Sequence, residues 1–142
     1  MLFRSVLPAL LRKAHEAKLA GDREIIVWGT GTPRREFLHV DDCADALVFL
    51  LRTYSGELHV NVGSGEDISI MELVRLIVDV VGFKGGIAQD LSKPDGTPRK
   101  LMSADRLRAM GWSPRIGLEK GVRETYAWFL AHGADREGRR VG

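Results

Sequence analysis

Segments of helical period dominate this sequence, the strand-period runs between them are short and scattered, and the two kinds do not alternate regularly. That order excludes a self-sufficient doubly wound sheet, which requires strand and helix in repeated succession. It predicts an α/β chain of the α+β kind, a subdomain with a face that needs something more to pack against. Val6, Leu7, Leu10, Leu11 and Ala14 recur at helical spacing with Gly21 as the stop, giving a first helix from Val6 to Leu19. Glu24–Trp28 and Glu36–Val40 are β-branched or alternating runs separated by Gly, Thr and Pro, the pattern of a hairpin. Asp41-Asp42 reads as an N-cap for a helix from Cys43 to Arg52, with Ala44, Leu47, Val48 and Leu51 on one stripe.

Leu58–Val62 alternates and is expected to be a strand leading into Gly63-Ser64-Gly65. Ser69-Ile70-Met71-Glu72 is a capping box, opening a helix through Leu73, Ile77, Val80 and Val81 to Gly82. Residues 92–100 contain two prolines and a glycine and are expected to form an exposed loop. Ser103 is read as the cap of a short helix to Met110, and Leu118–Leu130 as a last helix with Val122, Tyr126 and Phe129 inward. Residues 1–132 are therefore expected to fold together, with 133–142 a polar, frayed tail.

Composition narrows the function class. With 44% hydrophobic and 28% charged residues the chain can build one core, and a net charge of +2 with interleaved signs gives no nucleic-acid footprint. No apolar stretch reaches the roughly 20 residues of a membrane span. The opening residues run into a charged, periodic segment and read as the first helix rather than a signal peptide. The single cysteine, Cys43, reads as a small core residue and fits a reducing cytoplasm. His15 and His59 have no neighbours at metal-ligand spacing, so no metal is expected.

Two charged segments carry the candidate chemistry. Gly29-Thr30-Gly31-Thr32-Pro33 follows a strand, but it lacks the third glycine of a dinucleotide fingerprint and leads into a strand-period run. Its glycines read as turn residues that present Arg34 and Arg35 either to solvent or, as planar cationic forks, to a phosphate. Trp28 is either core packing or an aromatic wall against a ligand. His39 reads as a hydrogen-bonded structural residue. Lys93–Lys100 places Asp95, Arg99 and Lys100 on a backbone stiffened by Pro94 and Pro98, which is either a rigid connector or a preorganised binding loop. From spacing alone, the claim is an anionic-ligand site shared by two loops.

The blocks Val6–Lys13, Val27–Asp42, Asn61–Gly65 and Ser92–Lys100 closely resemble the carboxy-terminal part of the GDP-L-fucose synthases, a family of extended short-chain dehydrogenases/reductases. The resemblance runs from about Ser5 to about Ala131. It implies the substrate-binding subdomain of that fold. It also implies an activity for the complete enzyme: epimerisation of GDP-4-dehydro-6-deoxy-D-mannose at C3 and C5, then NADPH-dependent reduction of the C4 ketone to GDP-L-fucose. Substrate-binding roles are implied for Lys13, Trp28, Arg35 and Asp95, with Lys100 a further candidate. Lys13, Arg35 and Lys100 would counter the diphosphate, Trp28 would wall it, and Asp95 would accept hydrogen bonds. A homodimer is implied for the complete enzyme.

The departures are specific. The family's Rossmann half, with its glycine fingerprint for NADP, its Tyr-x-x-x-Lys group and its catalytic cysteine, has no counterpart in this sequence, so no catalytic residue is assigned. Cys43 lies in another segment and inherits no such role. Ser5 stands where the family has a general-acid histidine, and serine does not shuttle protons near neutral pH. Ser103 replaces a common aspartate. Two other readings follow from the same sequence: a non-catalytic interaction module with an apolar face covered by a partner, and part of an epimerase or dehydratase for another nucleotide sugar.

Overall fold

The computed structural model describes residues 5–132; the expected tail, 133–142, lies outside the described residues. The elements in chain order are α1 (Val6–Ala20), β1 (Glu24–Trp28), β2 (Arg34–Glu36), α2 (Val40–Thr53), β3 (Asp67–Ser69), α3 (Ile70–Val81), β4 (Gly86–Asp90), β5 (Arg99–Lys100), α4 (Asp105–Ala109) and α5 (Leu118–His132). They build two small sheets. β1 pairs in parallel with β4, and β2 sits between antiparallel β3 and parallel β5.

The main core lies where three helices meet the first sheet. α1 contributes Leu11, Ala14 and Ala17; β1 contributes Ile25 and Val27; α3 contributes Leu73, Val74, Ile77 and Val81; and α5 contributes Val122 and Tyr126. The helical period puts these residues on one face of each helix, and burying them supplies the chief driving force for the fold. α3 has the predicted capping box: Ser69 Oγ accepts from Glu72 N while the Glu72 carboxylate accepts from Ser69 N, and Gly82 ends the helix at φ +73°. Gly21 ends α1 in the same left-handed conformation. A second, smaller cluster joins Ala46, Leu107 and Trp112, with the Trp112 indole N–H donating to Asp45.

Several sequence expectations are corrected. The hairpin does not form: β1 and β2 belong to different sheets. Gly29 and Gly31, at φ +74° and +71°, turn the chain away from the β1–β4 ladder and across the amino end of α3. There Gly31 and Pro33 carbonyls accept from Met71 N and Ile70 N. The second strand is accordingly Arg34–Glu36, and α2 starts at Val40 with His39, not Asp41-Asp42, as its cap; His39 Nδ1 accepts from Asp41 N. Asp42 is instead 4% exposed and accepts from the amides of Arg115 and Ile116.

Leu58–Val62 forms no strand; Val60 and Val62 pack on the smaller cluster instead. Ala104 is the formal cap of α4, while Ser103 Oγ accepts from Asp105 N just ahead of it. The stripe of Ala44, Leu47, Val48 and Leu51 lies on one side of α2 and faces solvent among the described residues, Leu51 being 85% exposed. Trp28 is 69% exposed, which removes the core-packing reading.

Candidate functional site

The end of β1, the turn that follows it and the 93–100 loop fold onto one another. Asp95 joins them: its carboxylate accepts from Thr30 N at 2.8 Å and from Thr30 Oγ1 at 2.7 Å. A Cβ on Gly29 would run into the Asp95 carboxylate, so glycine serves both the positive φ and the close approach of the loop. Gln89 on β4 adds a bond to the Thr30 carbonyl. The loop is thus tied to the turn after β1 by two bonds from Thr30 to Asp95, which is what a preorganised binding loop needs.

Arg35 leaves β2 beneath the same loop. Its Nη1 donates to the carbonyls of Arg34 and Thr97, each at 2.7 Å. Gly96 sits against its other terminal nitrogen, a Cβ there lying 3.1 Å from Nη2. Lys100 pairs in register with Arg35 across the β2–β5 ladder. Residues paired in register point to the same face of a sheet, so the two cationic side chains leave the backbone side by side. Lys100 is exposed, and its ammonium is available to an incoming anion.

Trp28 closes one flank. Its ring is open to solvent, and Lys93 Nζ lies 5.8 Å from the ring centroid, within cation–π range. Lys13 stands on α1 and donates to the Ile26 carbonyl of β1, two residues before Trp28. The structure therefore groups Trp28, Arg35, Asp95 and Lys100 around the 93–100 loop, with Lys13 on the helix beside the strand that carries Trp28. Asp95 is engaged in holding that loop, a duty the sequence did not reveal.

Other groups around this surface were not singled out from the sequence. Asp67 on β3 has a side chain only 6% exposed and binds two arginines: Arg34 Nε at 2.8 Å and Arg99 Nε. Hydrogen bonds from Arg34 and then Arg99 hold its pKa below the ordinary carboxylate value, and the Arg34 guanidinium is raised in turn. Glu72 is likewise lowered, chiefly by its bonds from Ser69. Glu36 Oε1 accepts from Gly65 N at 2.6 Å and so anchors the Gly63-Ser64-Gly65 turn. Asp67 follows Glu66 and precedes the capping box, and nothing in its spacing names its partners.

A cleft of about 560 Å³ adjoins this region, lined in part by Arg34, Arg35, Asp67, Arg108 and Phe37. Of the five predicted binding residues only Arg35 borders it, so the cleft is not the surface on which they gather. Gly29-Thr30-Gly31 leads to β2 rather than to a helix amino terminus, so it offers no pyrophosphate cradle of the dinucleotide type. Among the described residues no group of three or more His, Cys, Asp or Glu could hold a metal ion, and no helix is long and apolar enough to cross a membrane.

Residues 3–63 match the NAD dependent epimerase/dehydratase family. Over 131 residues the chain is 56% identical to GDP-L-fucose synthase 1 of Arabidopsis thaliana, covering 92% of this chain and 41% of that protein. It is 55% identical over 130 residues to GDP-L-fucose synthase of Sinorhizobium fredii, again covering 92% of this chain and 41% of the relative. A solved GDP-L-fucose synthetase from Naegleria fowleri, bound to NADP, superposes with a TM-score of 0.86 at 29% identity over 92% of this chain and 41% of that one. The chain thus spans about two-fifths of the length of these relatives.

Proposed function

From its homology to the GDP-L-fucose synthases over about nine-tenths of its length, we propose that this chain is the nucleotide-sugar-binding portion of such an enzyme. Its ligand is a GDP-sugar, GDP-4-dehydro-6-deoxy-D-mannose in the complete enzyme, which epimerises C3 and C5 and reduces C4 with NADPH. The NADP-binding and proton-transfer residues of that reaction have no counterpart here, so the isolated chain binds without turnover. The complete enzyme works as a homodimer in the cytoplasm, with no role for nucleic acid or membrane.

The observation that carries this reading is the in-register pairing of Arg35 with Lys100, brought from two distant segments onto one face of a sheet. Two adjacent cations suit a diphosphate, whose charge is spread over two phosphoryl groups. Trp28, exposed at the flank, offers a flat apolar wall beside it. Competition calorimetry with GDP, UDP and dTDP tests the assignment: GDP is expected to bind most tightly. A preference for UDP or dTDP would transfer the chain to another nucleotide-sugar enzyme.

The exposed stripe of α2 favours a second reading, a non-catalytic interaction module. Under it, the apolar face drives self-association or capture of a partner. Light scattering at tens of micromolar chain separates the two: a clean monomer argues against the module.

A further inference from the structure

We propose that Asp67 is the positioning residue of this site: its carboxylate, wedged between Arg34 and Arg99, holds β5 against β2 and thereby sets Lys100 beside Arg35. The inference rests on the reading above for its functional meaning, while its structural half stands independently.

The reason lies in the register. Arg34 on β2 pairs directly with Arg99 on β5, and like charges facing each other across neighbouring strands destabilise the pair. β5 has little to set against that repulsion. It is two residues long, both are exposed, and neither is apolar. The backbone bond from Arg34 N to the Pro98 carbonyl, 2.8 Å, must survive beside two guanidinium groups.

Asp67 removes the conflict. One carboxylate oxygen accepts from Arg34 Nε and the other from Arg99 Nε, so each arginine meets an opposite charge instead of its twin. Arg34 is fixed further by Nη2 donating to the Asp67 carbonyl at 2.9 Å and by Glu72 3.5 Å from Nη1. Asp67 is the shielded member of the group, 6% exposed against 42% for Arg34 and 61% for Arg99, so its charge is screened less than in an open surface pair. Alternation along the strand does the rest. Arg34 and Arg99 occupy one face of the sheet, Arg35 and Lys100 the other. Asp67 therefore acts on Arg35 and Lys100 through the strands that carry them, although it and Arg35 both border the adjoining cleft.

Asp67→Asn, which keeps the shape and removes the charge, tests this together with D67N/R99Q, which also removes the repulsion. In amide exchange without ligand, D67N is expected to speed exchange at the Arg34 amide about tenfold while α1 and α3 keep their protection. D67N is also expected to weaken GDP binding about five- to tenfold, and D67N/R99Q to recover most of both losses. Unchanged exchange in D67N, or a loss that the double variant fails to recover, overturns the proposal. Should D67N unfold, D67N/R99Q decides: relief of the repulsion is expected to return a folded chain with near-parental exchange at the Arg34 amide, and a double variant that stays unfolded or leaves that amide unprotected overturns the proposal. If the parental chain binds no GDP, the functional reading fails, and the exchange arms still decide the role of Asp67.

Discussion

At the scale of single residues, Asp67 shows how charge and geometry combine. Its folded pKa is held below the unfolded one by hydrogen bonds from Arg34 and Arg99. Its contribution to stability is therefore complete above the ordinary carboxylate value of about 3.9 and is lost as the pH falls through the lower folded value. The side-chain carboxyl carbon of Asp67, followed by NMR, is expected to titrate with a midpoint below that value; a midpoint at or above it contradicts the clamp. The sequence drew attention to Arg34, Arg35, Arg99 and Lys100 as cations on two segments rich in glycine or proline, and only the resemblance separated Arg35 and Lys100 from the other two. Asp67 was not legible, since its meaning comes from two arginines 33 and 32 residues away in the chain. Asp41-Asp42 was misread for a related reason. Asp42 has the chemistry of a cap, but it is drawn inward by the amides of Arg115 and Ile116, leaving the cap to His39.

At the scale of elements, α1, α3 and α5 were readable because each combines a 3.6-residue apolar period with a local start or stop signal. α3 holds its capping box and its glycine stop as the sequence indicates. Among the described strands β1 was readable, its β-branched run matching Glu24–Trp28, and the shorter ones were not. β3 has a single apolar residue, Ile68, and β5 has none; both exist because β2 offers them an edge, which is a tertiary fact. The same dependence undid the expected hairpin, since β1 finds a better partner in β4, far downstream in the sequence. The turn between β1 and β2 still does what the sequence asked of it, bending tightly at two glycines. Gly29→Ala is expected to destabilise the chain by about 1–2 kcal/mol through the left-handed backbone alone. It also drives a methyl group into Asp95, which lies against Gly29. Loss of the Thr30–Asp95 bonds would loosen the 93–100 loop, so GDP affinity should fall with stability. A G29A chain with parental urea midpoint and GDP affinity would show that the tie is dispensable.

At the scale of the molecule, the fold is a small helical core carrying two short sheets, one of which presents a cationic, preordered surface. The open apolar stripe on α2 was legible as a stripe but not as an exposed one. Helical period reports which residues share a face, not what covers it. The chain is 55–56% identical to two GDP-L-fucose synthases and spans about two-fifths of their length; under the function proposed above, the sheet carrying Arg35 and Lys100 grips the diphosphate beside the wall at Trp28. That role requires Arg35 and Lys100 to act on one anion. The most direct measurement is calorimetric titration of the chain with GDP, repeated for Arg35→Gln and Lys100→Gln. Saturable binding, weakened about tenfold or more in each variant, is the predicted result. No saturable binding at millimolar GDP, or equal affinity in all three proteins, would contradict it.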